Sequence, residues 1–334
     1  MDPKYKQKLS KKELEESEKF RKSLTEKYGF IPTSIMKIPV RDKELDALVE
    51  DTLAAGSYME HGMSVRSGAL SQTPVLMTDF CIRFWSKQGD TVFDPFFERV
   101  PQLIIANHRG RHAIGYDISH KFFVHNVEKI TRRIGNSLMP SENKVTLSTE
   151  QEFQSVLNGL RFEMYCKDSR KTHLENSSVD FVISSPPYWD IEYYGPELEQ
   201  LGTGLAPGSY DLFLEELGKV YSECLRVLKP GKFMVIEIQD FRKEGEFYPY
   251  SSDVISLCRR IGFKIHDILI FYYGHLSAIF AVDLERDKRS AKVHEYWLVF
   301  RKPGFKREIP EELQRKKSLV EKEDEGLEQF IKTR

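Results

Sequence analysis

The chain has 334 residues, 40% hydrophobic and 12% aromatic, enough for one large domain with extensions or two small ones. Its net charge is −1 and its isoelectric point about 6.8, so no global field marks it for nucleic acid; such a partner has to be met by local patches. Four widely spaced cysteines (Cys81, Cys166, Cys224, Cys258) form no CxxC pair, which argues against a zinc site or a disulfide framework and suits a reducing cytoplasm.

No apolar run approaches the roughly 20 residues that span a bilayer. The first 30 residues, beginning "MDPKYKQKLSKKELEESEKF", are charged throughout and lack the apolar core of a signal peptide. The expectation is a cytoplasmic protein with no membrane partner. Residues 1–60 read as a charged, helical N-terminal extension whose first helix is solvated, 61–303 as the main domain, and 304–334 as a charged C-terminal tail.

Within the main domain, strand and helix patterns alternate. "DTVFDPF" (90–96) reads as a strand and "PQLIIANHRG" as a short helix closed by Gly110. "HAIGYDIS" is a strand and "HKFFVHNVEKITRRIG" a helix; "FEMYCKDS" (162–169) and "VDFVISS" (179–185) are further strands. Ser209 is placed to cap a helix with the apolar face Leu217, Val220, Tyr221, Cys224, Leu225 and Leu228, stopped by "KPG". "KFMVIEIQDF" is apolar without a break, as in a strand buried on both faces of a parallel sheet. "DVISLCRRIGF" is a helix, followed by the strands "KIHDILIFYY" and "HEYWLVFRK". This alternation predicts an α/β fold with a doubly wound sheet, closed by an antiparallel hairpin at its edge.

In such sheets ligands bind at the carboxyl ends of the strands. Those ends carry Asp94-Pro95-Phe96, Asp117, Asp168 and Ser185-Pro186-Pro187-Tyr188. An acid past the second strand, about 20 residues beyond the first loop, suits ribose hydroxyls. Each acid alone is more often a helix cap or a loop residue; three acids and a Ser-Pro-Pro-Tyr turn at four successive strand ends argue for a site.

"FDPF", "IGYDIS", "KDSR" and "SSPPYW", in that order, resemble the motifs of the DNA amino-methyltransferases. The resemblance covers about residues 63–302 and includes "SGALSQTPVLMTDFCIRFWSKQGD", similar to an element that packs on the cofactor in that family. It implies a doubly wound, mostly parallel seven-stranded methyltransferase sheet and S-adenosylmethionine as cofactor. It also implies methyl transfer to the exocyclic N4 of cytosine or N6 of adenine in DNA.

Such an amino nitrogen is a weak nucleophile because its lone pair is delocalised into the ring. Two acceptors fixed in place can polarise its N–H bonds. Pro186 and Pro187 lock φ, and Pro187 holds its predecessor extended. By resemblance, Ser185 Oγ and the Pro186 carbonyl are the acceptors, and Tyr188 stacks on a base taken out of the duplex. Trp189 either widens that platform or belongs to the core. The alternative for "SSPPYWD", a simple proline turn or a proline-rich ligand segment, fits poorly behind a core strand. Ser at position 185, where adenine enzymes usually carry Asp or Asn, favours cytosine N4, with adenine N6 the alternative.

By the same carry-over, Asp117 binds the ribose hydroxyls, Asp168 the adenine amino group, and Thr73 and Pro74 the adenosine side, with Ile118 a further cofactor-binding residue. Asp94 and Phe96 line the methionine end, and Pro95 between them is also a cofactor-binding residue. One departure stands out. The family continues "DPF" with a small residue and glycine; here Phe97, Glu98, Arg99, Val100 and Pro101 follow. Glu98 is placed to pair with the cofactor ammonium. Arg99 leaves open a carboxylated S-adenosylmethionine delivering a carboxymethyl group, and the changed loop leaves open a non-catalytic DNA-binding relative.

DNA contacts are expected at "RRIG" (132–135), at "ERDKRSAKVH" (285–294) and in the long loop "DIEYYGPELEQLGTGLAPGSY" after the catalytic motif. Target recognition is expected in 272–293 and 190–210. A separate restriction endonuclease stays open as a partner, since no nuclease motif occurs in the chain.

Overall fold

The computed structural model describes residues 75–98, 100–136, 143–189, 201, 209–272 and 294–304, with short stretches (19, 22–23, 25–27, 33–36 and 43–49) before residue 50. Twelve strands lie among them: β1 (Ile35–Met36), β2 (Thr91–Asp94), β3 (His112–Asp117), β4 (Lys144–Ser148), β5 (Glu152–Leu157), β6 (Leu160–Cys166), β7 (Val179–Ser184), β8 (Leu228–Ile238), β9 (Phe241–Lys243), β10 (Glu246–Tyr248), β11 (Lys264–Tyr272) and β12 (His294–Arg301). The helices are α1 (Lys43–Val49), α2 (Val75–Trp85), α3 (Pro101–His108), α4 (His120–Asn136), α5 (Tyr210–Val227) and α6 (Tyr250–Ile261).

Ten strands form one sheet in the order β1-β11-β12-β8-β7-β2-β3-β6-β5-β4, and β9 and β10 form a separate hairpin. The stretch β6-β3-β2-β7-β8 is parallel, and β12 and β11 close it antiparallel. These seven strands are the expected sheet. The three additional ones are β1, which pairs with β11, and the β4–β5 ribbon, which extends the other edge antiparallel. Every residue of β4 is exposed, so its sequence carries no core-facing alternation to mark it as a strand.

The β7 residues are buried on both sides of the sheet. Phe181 and Ile183 belong to the core cluster that holds Cys81, Leu103 and Trp297, while Val182 belongs to the one that holds Leu217, Val220 and Leu298. This period-2 division explains the unbroken apolar runs: both faces are covered by helices, so every position is core. Burying a side chain of this size contributes about 1.5–3 kcal/mol. Ser209 caps α5 by accepting the Leu212 N–H at 3.2 Å, and α6 ends at Gly262 with φ 119°. Among the described residues, no helix is long and apolar enough to cross a membrane.

Candidate functional site

Because β2, β3, β6, β7 and β8 run parallel, their carboxyl ends share one rim of the sheet. Asp94, Asp117, Asp168 and Ser185 stand at or just beyond four of these ends. The sequence-predicted residues are therefore brought together there, apart from Thr73, Pro74 and Arg99, which lie outside the described residues.

Asp94 ends β2 and is fully buried. Its Oδ1 accepts the Phe96 N–H at 3.0 Å, while Oδ2 has no hydrogen-bond partner among the described residues. Burial pushes its carboxyl up to about 8; the Phe96 N–H pulls the other way, and the charges of Asp117 and Glu98 add to the rise. A buried carboxyl with one oxygen unsatisfied, at the strand end where a cofactor lies in this fold, is matched to a cationic group. The methionine ammonium of S-adenosylmethionine is one.

Asp117, the last residue of β3, ties that strand to the loop after β2. Its Oδ2 accepts the Glu98 N–H at 2.9 Å and its Oδ1 the Ser119 N–H at 2.8 Å. Asn126 of α4 donates to the Glu98 carbonyl at 2.6 Å, and the Phe97 N–H reaches the Tyr116 carbonyl at 3.2 Å. The loop after "DPF" is thus stapled from both sides. Ile118 is half-buried, and its carbonyl accepts the Cys166 thiol at 3.8 Å.

The structure accounts for Phe97, where the chain leaves the family pattern. The ring is buried in the core against Gly115 of β3. A Cβ on Gly115 would meet Phe97 Cδ1 at 2.7 Å and Leu103 Cδ1 at 2.5 Å. The small residue absent from the loop has its counterpart across the sheet. The bends that glycine ordinarily supplies are made by Glu98 (φ 35°) and Val100 (φ 60°), both in the left-handed region.

Asp168 lies beyond the end of β6 in a compact turn. Its Oδ1 accepts the Arg170 N–H at 2.8 Å, and the Arg170 guanidinium pairs with both carboxylate oxygens and with Glu216 of α5. Asp168 is therefore oriented by Arg170, a partner the sequence did not single out.

The catalytic motif follows β7 directly. Pro186 is buried, and Ser185, Pro187, Tyr188 and Trp189 are half-buried. The Tyr250 hydroxyl donates to the Pro187 carbonyl at 3.1 Å, and the Tyr188 hydroxyl accepts the Gln239 N–H at 2.9 Å. Burial, reinforced by the charges of Glu295 and Glu237, holds the Tyr188 phenol well above its usual range. The Tyr188 ring meets Tyr250 and Phe241 edge-on at 5.7 and 6.2 Å. Trp189, with φ 48°, packs against Tyr210 at 5.5 Å and Tyr248 at 5.3 Å. Gln239, Tyr250, Tyr210 and the β9–β10 hairpin are the positioning residues the sequence reading missed. For Tyr250 and the hairpin the signal was the density of aromatic residues in "FRKEGEFYPY", which carries no spacing rule; Gln239 and Tyr210 lie outside it.

Of the DNA-contact candidates, the core of the loop 190–210 and residues 273–293 lie outside the described residues; Arg132 is exposed and pairs with Glu128 at 3.3 Å.

The strand order and the cluster at its rim define a methyltransferase-like α/β domain. A family model described as DNA methylase matches residues 2–128 and 179–332, and the chain belongs to that family of S-adenosylmethionine-dependent enzymes. The Type II methyltransferase M.MthZI of Methanothermobacter thermautotrophicus is 30% identical over 172 residues, covering 46% of this chain and 48% of that protein. The chain thus spans about half the length of the curated relative it matches. A Thermus thermophilus protein described as a DNA modification methylase, solved with S-adenosyl-L-methionine, is 29% identical over 45% of this chain and 59% of its own, with a TM-score of 0.32. A S-adenosylmethionine-dependent methyltransferase of Methanosarcina mazei is 14% identical over 70% of this chain and 99% of its own, with a TM-score of 0.41. At these scores the fold assignment rests on the strand order itself.

Proposed function

We propose that the chain is a DNA methyltransferase acting on the exocyclic N4 of cytosine. The observation that carries the reading is the fixing of Ser185-Pro186-Pro187-Tyr188 at the end of β7, tied by Tyr250 to the Pro187 carbonyl and by the Gln239 N–H to Tyr188. Two acceptors on a rigid turn, with an aromatic ring beside them, suit a planar base whose amino group must be turned and polarised.

S-adenosylmethionine supplies an electrophilic methyl group on a sulfonium. Asp94 takes its ammonium, with Glu98, Pro95 and Phe96 beside it. Asp117 and Ile118 take the ribose end, and Asp168, oriented by Arg170, accepts from the adenine amino group. Ser185 Oγ and the Pro186 carbonyl would accept hydrogen bonds from the two N–H groups of the target amine, turning its lone pair toward the methyl donor; the amine gives up one of these protons to solvent as the methyl group is transferred and the thioether leaves. Tyr188 holds the base by its ring. DNA is the substrate on this reading.

Incubation with DNA and S-adenosylmethionine, followed by mass analysis of the nucleosides, tests it. N4-methylcytosine supports the proposal. N6-methyladenine moves the target to adenine, and absence of any modified base with DNA binding retained reduces the chain to a non-catalytic relative. A carboxymethyl product would identify a carboxylated cofactor.

A further inference from the structure

The hairpin of β9 and β10 follows β8 after two residues, at the rim where the catalytic motif follows β7. Its turn is Glu244-Gly245, with φ 52° and 91°. Two positive φ angles in a two-residue connection mark the primed turn that matches strand twist. The register pairs Phe241 with Tyr248, Arg242 with Phe247 and Lys243 with Glu246.

Directly opposed residues share a face, and successive pairs alternate. One face carries Phe241 and Tyr248, whose rings stack at 5.3 Å and 16°, together with Lys243, whose Nζ lies 4.4 Å from the Trp189 ring centre. This face is built onto the catalytic segment. The Glu246 carboxylate on it accepts the Tyr248 hydroxyl at 3.1 Å.

The other face carries Arg242 and Phe247. The guanidinium sits 5.0 Å from the centre of the Phe247 ring, and the phenylalanine is 43% exposed. This exposed aromatic ring beneath an arginine lies on the face opposite Phe241 and Tyr248. Its chemistry is that of a nucleic-acid contact: a guanidinium for phosphate and an apolar ring for a disrupted base step.

We propose that the outer face of this hairpin contacts DNA beside the extruded target base, Arg242 on a backbone phosphate and Phe247 in the gap opened in the base stack. The proposal rests on DNA being the substrate. Charge complementarity is local: Arg242 supplies the positive charge of this face. The contact of Lys243 with the Trp189 ring ties the hairpin to the residue that follows Tyr188.

The test uses the full chain and the variants Arg242→Gln and Phe247→Ala, with unchanged thermal unfolding and S-adenosylhomocysteine affinity as the check on folding. Binding to a mixed-sequence duplex is followed by anisotropy over a range of salt. Loss of one phosphate contact lowers the slope of log K against log salt by about 0.9 in Arg242→Gln. Methylation is then compared on a duplex carrying the mapped target and on the same duplex with a mismatch opposite the target base. Phe247→Ala slows the matched duplex by about 10-fold, in the range of one lost base–aromatic contact, and the mismatch, which is already unstacked, restores the rate. An unaltered salt slope in Arg242→Gln overturns the phosphate contact, and equal rates or equal defects on the two duplexes overturn the wedge. Failure of the wild-type chain to modify any DNA overturns the methyltransferase reading instead; the salt slope still decides the hairpin.

Discussion

The backbone N–H of Gln239 donates to the Tyr188 hydroxyl at 2.9 Å, tying the end of β8 to the catalytic turn after β7. The bond separates two functions of one side chain: the hydroxyl anchors, and the ring is offered to the base. Tyr188→Phe leaves the Gln239 N–H without its partner and is expected to lower stability by about 1–3 kcal/mol while retaining most turnover. Tyr188→Ala removes the stacking surface, worth ~1–3 kcal/mol, and is expected to cut turnover severely with cofactor affinity changed only a few-fold. Denaturant unfolding and single-turnover methylation check the pair. Unchanged methylation in Tyr188→Ala would remove the ring from the mechanism.

Asp94 makes cofactor binding sensitive to pH. Its carboxyl is raised to about 8, first by burial, with Asp117 from the end of β3 and Glu98 from the loop adding to the rise. Cys224 of α5 faces it as well, its thiol pushed up by burial, by Glu223 and by Asp94. In the unfolded chain the group ionises near its ordinary value of about 4. Between these values the folded state holds the extra proton, so rising pH favours unfolding. The stabilisation is complete below about pH 4 and is lost as pH climbs through 8. Asp94→Asn is expected to flatten this slope. A bound ammonium reverses the preference of the site, so S-adenosylhomocysteine binding at pH 7 is expected to release about one proton, and none in Asp94→Asn. Calorimetry in buffers of different ionisation enthalpy reads the difference. A buffer-independent heat in the wild type would contradict the pairing.

Asp117 has a structural task beside its proposed contact with the ribose. It accepts the Glu98 and Ser119 N–H groups, so Asp117→Ala loosens the loop as well as the ligand. S-adenosylhomocysteine affinity is expected to fall by ~2–4 kcal/mol, because two polar groups lose a charged partner. Asp117→Asn keeps one carbonyl acceptor and is expected to lie between the two in both affinity and thermal stability. An unaltered dissociation constant in Asp117→Ala would reduce the residue to a turn-former.

What the sequence made legible follows from what repeats in it. The buried strands β2, β7 and β8 were visible because both of their faces are core, and the "SPPY" turn because proline and aromatic residues at a strand end have few other uses. The β4–β5 ribbon was hidden because β4 buries none of its residues. The β9–β10 hairpin was hidden because Glu244-Gly245 stands where Asn-Gly or Asp-Gly would announce the turn. Arg170, Gln239 and Tyr250 act through partners 2 to 63 residues away in sequence, and pairing of that kind leaves no periodic trace. The departure at Phe97 read as a threat to the cofactor loop; the fold turns the ring into the core over Gly115 instead.

The loop that follows stores strain of a testable size. Glu98 has φ 35°, a conformation that costs an ordinary residue about 1–2 kcal/mol and that Asn adopts more readily. Its backbone is fixed by Asp117 and Asn126 whatever its side chain, so the geometry survives substitution. Its carboxylate lies close enough to Asp94 to raise that group further. Glu98→Asn therefore relieves backbone strain and removes a like charge from the site, and is expected to stabilise the protein by ~0.5–1 kcal/mol. The same change removes the second acid proposed beside the cofactor ammonium, so S-adenosylhomocysteine affinity is expected to fall several-fold. Stability and affinity moving in opposite directions is the signature of strain kept for function. Thermal unfolding and calorimetric titration on one preparation measure both. A variant that gains stability with affinity unchanged would place Glu98 outside the cofactor site, and one that loses both would make its carboxylate a structural group of the loop.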